Sequence, residues 1–212
     1  MIERFLTQTK FTSEDDYAKH LHFIVPENFN FAYDVMDAWA EEKPDKVALL
    51  WTSERGEEVS ITYREFKEQT DKTAAYFMQL GIKHGDKVML ILKRHYQWWL
   101  SMMALCKVGA IAIPATHMLT AHDIVYRNQS ASVKYIICAN DEYITEQIAK
   151  AMPDSPTVKA LVAVNALSEL DKPIPEGFHD WRKEWAEAPA FVRPDNVNTN
   201  EDTMLMYFTS GT

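Results

Sequence analysis

The chain has 212 residues, 47% of them hydrophobic and 25% charged, which suits a globular protein with one full core and part of a second. Its net charge of −9 disfavours a nucleic-acid surface, which needs a basic stripe, and disfavours an anionic membrane surface. No uncharged run reaches the roughly 18 residues of a membrane span, and the longest, Val108 to His122, holds a proline and two histidines.

Met1 to Phe5 lacks the apolar core of a signal peptide. Cys106 and Cys138 lie in apolar runs, and no CxxC occurs. They read as buried thiols in a reducing compartment, the cytoplasm. Residues 1–30 are mixed and polar and read as an N-terminal extension on a domain surface. His20-x-His22 has no third ligand near it in sequence and reads as two surface histidines.

From Phe31 the spacing of Phe31, Val35, Ala38 and Trp39 predicts one helical face, with Asn30 as N-cap and Pro44 as the stop. Val47 to Trp51 and Val59 to Ile61 flank a turn and predict a hairpin. Thr62 and Glu65 form a capping box, followed by a face of Phe66, Thr70, Thr73, Phe77 and Leu80 that ends at Gly81. Val88 to Leu92 is apolar without alternation, as in a strand covered on both faces. Trp98 to Cys106 predicts a helix apolar nearly all round, with the two tryptophans packed into the core.

Ile111 to Pro114 predicts a short strand. Thr120 and Asp123 open a helix to about Gln129, and Val133 to Cys138 is a further strand. Ile144, Ile148 and Met152 share a helical face, Leu161 to Val164 is a strand, and Trp181 and Trp185 lie on a short helix. Phe191 to Asp202, with Pro194, three asparagines and three acids, reads as a connection between lobes. The alternation of strand and helix gives the fold class: α/β, a mostly parallel sheet with helices on both faces. Residues 31–195 form a first subdomain and residues 196–212 begin a second.

The chain closes with Met204-Leu205-Met206-Tyr207-Phe208, read as a short buried strand, and then Thr209-Ser210-Gly211-Thr212. Backbone N–H groups and hydroxyls in such a loop can converge on phosphate oxygens, and glycine lets the main chain approach the anion closely. No GxGxxG follows an early strand, which sets aside a dinucleotide fold.

Three stretches now line up in order: Gly85-Asp86-Lys87-Val88, Lys107-Val108-Gly109-Ala110 running to Pro114, and Tyr207 to Thr212. Together they resemble the adenylate-forming superfamily of acyl-CoA synthetases, luciferases and peptide-synthetase adenylation domains. Trp98-Trp99-Leu100, Pro114 to Thr120 and Asp123 to Arg127 look like medium-chain acyl-CoA synthetases. The resemblance covers residues 31–212 and implies a ligase that uses ATP, Mg2+ and coenzyme A to activate a small or medium-chain carboxylic acid. It implies ATP phosphate binding at Thr209, Ser210, Gly211 and Thr212, and a possible CoA or acyl-tunnel lining at Thr116, His117 and Met118. No catalytic acid, base or metal ligand can be named. The family's loop normally continues Thr-Gly-x-Pro-Lys. The expectation is therefore the N-terminal part of a longer enzyme, inactive alone and completed by a C-terminal part. The alternatives are an adenylation domain or luciferase-like enzyme of the same superfamily, or a non-catalytic fragment.

Overall fold

Residues 2–195 and 198–209 are described by a computed structural model. Near the N-terminus, the Ser13 hydroxyl accepts from the Asp16 amide and opens α1 (Glu14–His20). Leu6 and Phe23 meet in a single antiparallel bridge. His20 is exposed, with ring Nδ1 2.7 Å from Asp16 Oδ1; His22 is exposed as well.

Asn30 is an N-cap, its Oδ1 accepting from the Ala32 and Tyr33 amides. The helix it opens differs from expectation. Phe31–Asp37 is π-helical and runs on into α2 (Ala38–Glu42). Phe31 is exposed, while Ala32, Asp37 and Ala40 are buried. The wider i→i+5 winding shifts the phase that a 3.6-residue reading assumes, and Asp37 takes an inward position because a cation awaits it there.

β1 (Val47–Thr52) and β2 (Glu58–Thr62) form the expected antiparallel hairpin. The Thr62–Glu65 capping box opens α3 (Tyr63–Gln79). The helix stops where Gly81 adopts φ 92°, a conformation that costs glycine least. Strands and helices then alternate: β3 (Lys87–Ile91), α4 (Gln97–Val108), β4 (Ile111–Pro114), α5 (Ala121–Ala131), β5 (Tyr135–Ala139), α6 (Glu142–Ala151) and β6 (Ala160–Val164). The chain then adds β7 (Phe178–Asp180) and α7 (Trp181–Ala186).

β3 to β7 form one parallel sheet in the order β4-β3-β5-β6-β7. Side chains split by parity, as strand geometry requires. Val88 and Leu90 face one core with Phe77, Leu105, Val108 and Trp181. Met89 and Ile91 face the other with Ile124, Ile144 and Ile148. Hence α3, α4 and α7 cover one face and α5 and α6 the opposite one. The hairpin joins a smaller cluster through Ile61, with Phe66 and Leu100. Among the described residues no helix is long and apolar enough to cross a membrane.

Two expectations need correction. Trp98 is only half-buried and Trp99 is 48% exposed, so this pair does not form the centre of the layer. The tryptophans occupy the first turn of α4. Its deep positions hold Leu100, Ala104, Leu105, Lys107 and Val108, and close packing on α3, where Ala74 is fully buried, favours small and aliphatic residues. Met204 to Phe208 is not a buried strand. Tyr207 is 63% exposed and Met204 38% exposed, and the segment touches β4 through one bridge, Leu205 opposite Ala112. Among the described residues this segment has a sheet partner on one side only.

Candidate functional site

The strand order reverses at β3: the chain crosses from β3 to β4 on one side, then returns to β5 on the other. In open parallel sheets a crevice outside the carboxyl ends of the strands forms at such a reversal. Here it is closed by an ion pair, with Lys93 Nζ 2.6 Å from Asp141 Oδ2. Burial pushes the Asp141 carboxyl up, but the Lys93 ammonium and the Ile144 amide outweigh it and hold the group below the usual carboxylate range. Asp141 also caps α6. Beneath it Asn140 Nδ2 donates to Asn165 Oδ1 at 2.6 Å, and Lys172 Nζ donates to the Asn140 carbonyl at 2.7 Å. This corner is already filled by partners of its own.

The open edge lies at β4. The Ala112 amide donates to the Met204 carbonyl at 3.1 Å, and the Met206 amide donates to the Ala112 carbonyl at 3.0 Å. The pairing is parallel, so the segment runs with β4 and delivers Thr209 past the strand's carboxyl end. Phe208 anchors the last step. Its ring meets Tyr126 edge-on at 6.0 Å and lies 5.1 Å from the Arg127 guanidinium. Thr209 is exposed. Ser210, Gly211 and Thr212 lie outside the described residues.

Thr116, His117 and Met118 leave the same carboxyl end of β4 and are all exposed, Met118 at 69%. The Thr116 hydroxyl accepts from the Met118 amide at 3.3 Å, a local turn. The fold thus puts Thr209 and the Thr116–Met118 group at one edge of the sheet. Both cysteines are free and buried, and burial pushes each thiol up. Among the described residues no group of three or more His, Cys, Asp or Glu could hold a metal ion.

One functional-looking cluster escaped the sequence reading. Lys107 is fully buried, with Nζ 2.8 Å from Asp37 Oδ1 and 2.6 Å from Asp71 Oδ1. Lys67 Nζ holds the other Asp71 oxygen at 2.6 Å. Burial pushes Asp37 above its ordinary value, opposed by Lys107. The charges balance within the cluster and tie the helix after Asn30 to α3 and α4, so it is a structural brace. A lysine in an otherwise apolar helix was the signal in the sequence.

The family model described as "AMP-binding enzyme" matches residues 36–212. Among curated proteins the chain is 34% identical over 197 residues to "Acyl-coenzyme A synthetase ACSM5, mitochondrial" of Rattus norvegicus, covering 89% of this chain and 32% of that protein. It is 32% identical over 197 residues to "Acyl-coenzyme A synthetase ACSM4, mitochondrial" of Homo sapiens, with the same shares. The chain therefore spans about a third of the length of these relatives. Among solved structures, the acyl-CoA synthetase of Brucella canis superposes with a TM-score of 0.73 at 20% identity, covering 87% of this chain and 32% of that one.

Proposed function

The chain belongs to the AMP-binding enzyme family, and from that premise we propose that it is the N-terminal part of an AMP-forming carboxylate–CoA ligase. The reaction would join a small or medium-chain carboxylic acid to ATP. A carboxylate oxygen attacks the α-phosphorus, the bond to the bridging oxygen breaks, and pyrophosphate leaves. The coenzyme A thiolate then attacks the acyl carbon and AMP leaves.

The single observation that carries this reading is the lead-in to the loop. Met204 to Phe208 docks on the β4 edge and releases Thr209 at the carboxyl end of the sheet. Thr209, Ser210, Gly211 and Thr212 would hold the β- and γ-phosphates as pyrophosphate departs, a task for fixed N–H and O–H donors rather than for a proton carrier. Thr116, His117 and Met118, at the same edge, would line the CoA or acyl path. Magnesium would be held by acidic residues of the family pattern that follow the loop. The described residues offer it no ligand cluster.

Residues 1–30 are assigned as an N-terminal extension, 31–195 as the first subdomain and 196–212 as the start of the second. The free thiols support a reducing compartment, which we take to be the cytoplasm. The test is carboxylate-dependent exchange of labelled pyrophosphate into ATP, run on residues 1–212 and on a polypeptide continuing through the loop and the rest of the family's length. Exchange by the longer polypeptide alone is expected. No exchange by the longer polypeptide with any of acetate, butyrate, hexanoate, octanoate or benzoate would overturn the reading.

A further inference from the structure

Three asparagines join parts of the chain that are remote in sequence. The Phe29 amide donates to Asn200 Oδ1 at 2.8 Å, and Asn200 Nδ2 donates to the Pro26 carbonyl at 2.9 Å. Asn198 Nδ2 donates to the Phe29 carbonyl at 2.9 Å. Asn30 Nδ2 donates to Asn198 Oδ1 at 2.8 Å and to the Cys106 carbonyl, near the end of α4, at 2.9 Å. Asn30 is 3% exposed, and its Oδ1 accepts from the Ala32 and Tyr33 amides and the Cys106 thiol.

A loop asparagine ordinarily bonds its own backbone two or three residues away. Asn198 and Asn200 instead bond across 168 to 174 residues, and to main-chain groups that have no sheet to satisfy them. The result is a short ladder built by side chains, with Pro26–Asn30 as one rail and Asn198–Asn200 as the other. Asp202 fastens its far end, accepting from the Thr199 amide at 2.7 Å with His84 Nε2 3.0 Å away. Two residues later the Met204 carbonyl accepts from Ala112.

We propose that Asn30, Asn198 and Asn200 are positioning residues: they use the N-terminal segment to set the register in which residues 204–206 lie on β4, and so where Thr209 is delivered. Pairing is one-sided and limited to the single bridge at Leu205; Leu205, Met206 and Phe208 hold the segment through side chains packed on the two cores, and the ladder adds the hold from upstream. The importance of that delivery rests on reading the loop as a phosphate cradle. The register itself does not, and its test needs no activity.

The experiment is site-resolved amide exchange by NMR on the 212-residue chain, comparing native protein with Asn198→Ala/Asn200→Ala. The amides of Met206 and Ala112 report the bridge, and the amide of Ile137, inside β5, is the internal standard. Removing the two asparagine side chains is expected to speed exchange at Met206 and Ala112 about tenfold or more, with Ile137 unchanged. Asn200→Asp keeps the acceptor for Phe29 and loses the donor to Pro26, so it should fall between the two. It also serves if the double variant fails to fold. Unchanged exchange at Met206 and Ala112, or equal acceleration at all three amides, would overturn the proposal. A null result in the pyrophosphate assay would leave this outcome untouched.

Discussion

Lys107 and Asp37 face each other inside the molecule, the ammonium 2.8 Å from one carboxylate oxygen and 3.0 Å from the other. Asp71 completes the brace at 2.6 Å. Removing the cation from such a site strands the Asp37 carboxylate and leaves Asp71 with Lys67 alone. Lys107→Met, which keeps the volume and drops the charge, is expected to destabilise the fold by about 3–5 kcal/mol. Urea unfolding of both proteins at pH 7 measures it. An unchanged midpoint would mean that the acids find water once the lysine is gone.

A second expectation separates the two kinds of apolar residue on α4. Leu105 is fully buried between sheet and helix, so Leu105→Ala should cost about 2–5 kcal/mol. Trp99 is half exposed and touches Trp98 edge-on at 4.7 Å, so Trp99→Ala should cost only the worth of that pair, about 0.5–1.5 kcal/mol. Equal melting temperatures for the two variants would contradict the burial assigned here.

The third concerns pH. Burial lowers the His95 imidazole below its ordinary 6.5, against a hydrogen bond to the Leu92 carbonyl that raises it. The folded state therefore favours the neutral ring. Its contribution is fully present above pH 6.5 and is lost as pH falls through the folded-state value. The fall in urea midpoint between pH 8 and pH 5 should be smaller in His95→Gln than in the native chain. A fall of the same size in both proteins would assign it to other groups.

The fourth reads the loop directly. In the longer polypeptide, Ser210→Ala/Thr212→Ala is expected to depress pyrophosphate exchange by about 10²-fold, the scale of losing oxyanion donors elsewhere. Full exchange by the double variant would show that this loop does not hold the phosphates.

Much of the architecture could be read from the chain because local and tertiary preferences agree. Val88 to Leu92 and Val133 to Cys138 carry the continuous apolar runs of strands covered twice, and both became central strands. Thr62 and Thr120 each have their acidic partner three residues on, and both capping boxes formed. What escaped depends on distant partners. β7 is three residues with no apolar run, recruited by the edge of β6. The face of the helix after Asn30 is dictated by Lys107, seventy positions away. For the proposed site, the sequence shows the hydroxyls and glycine on which the reading rests, but the docking of Leu205 beside Ala112 and the asparagine ladder behind it are visible only in three dimensions.

The contact between Phe29 and Asn200 also imposes a schedule. The two residues are 171 positions apart. At ordinary rates of translation the ribosome needs roughly 10–30 s to travel that far. Through that interval the newborn N-terminal segment, with Phe23, Ile24 and Val25 all substantially exposed even in the finished fold, has no rail to fasten to. Residues 26–30 are thus made long before the asparagines that secure them.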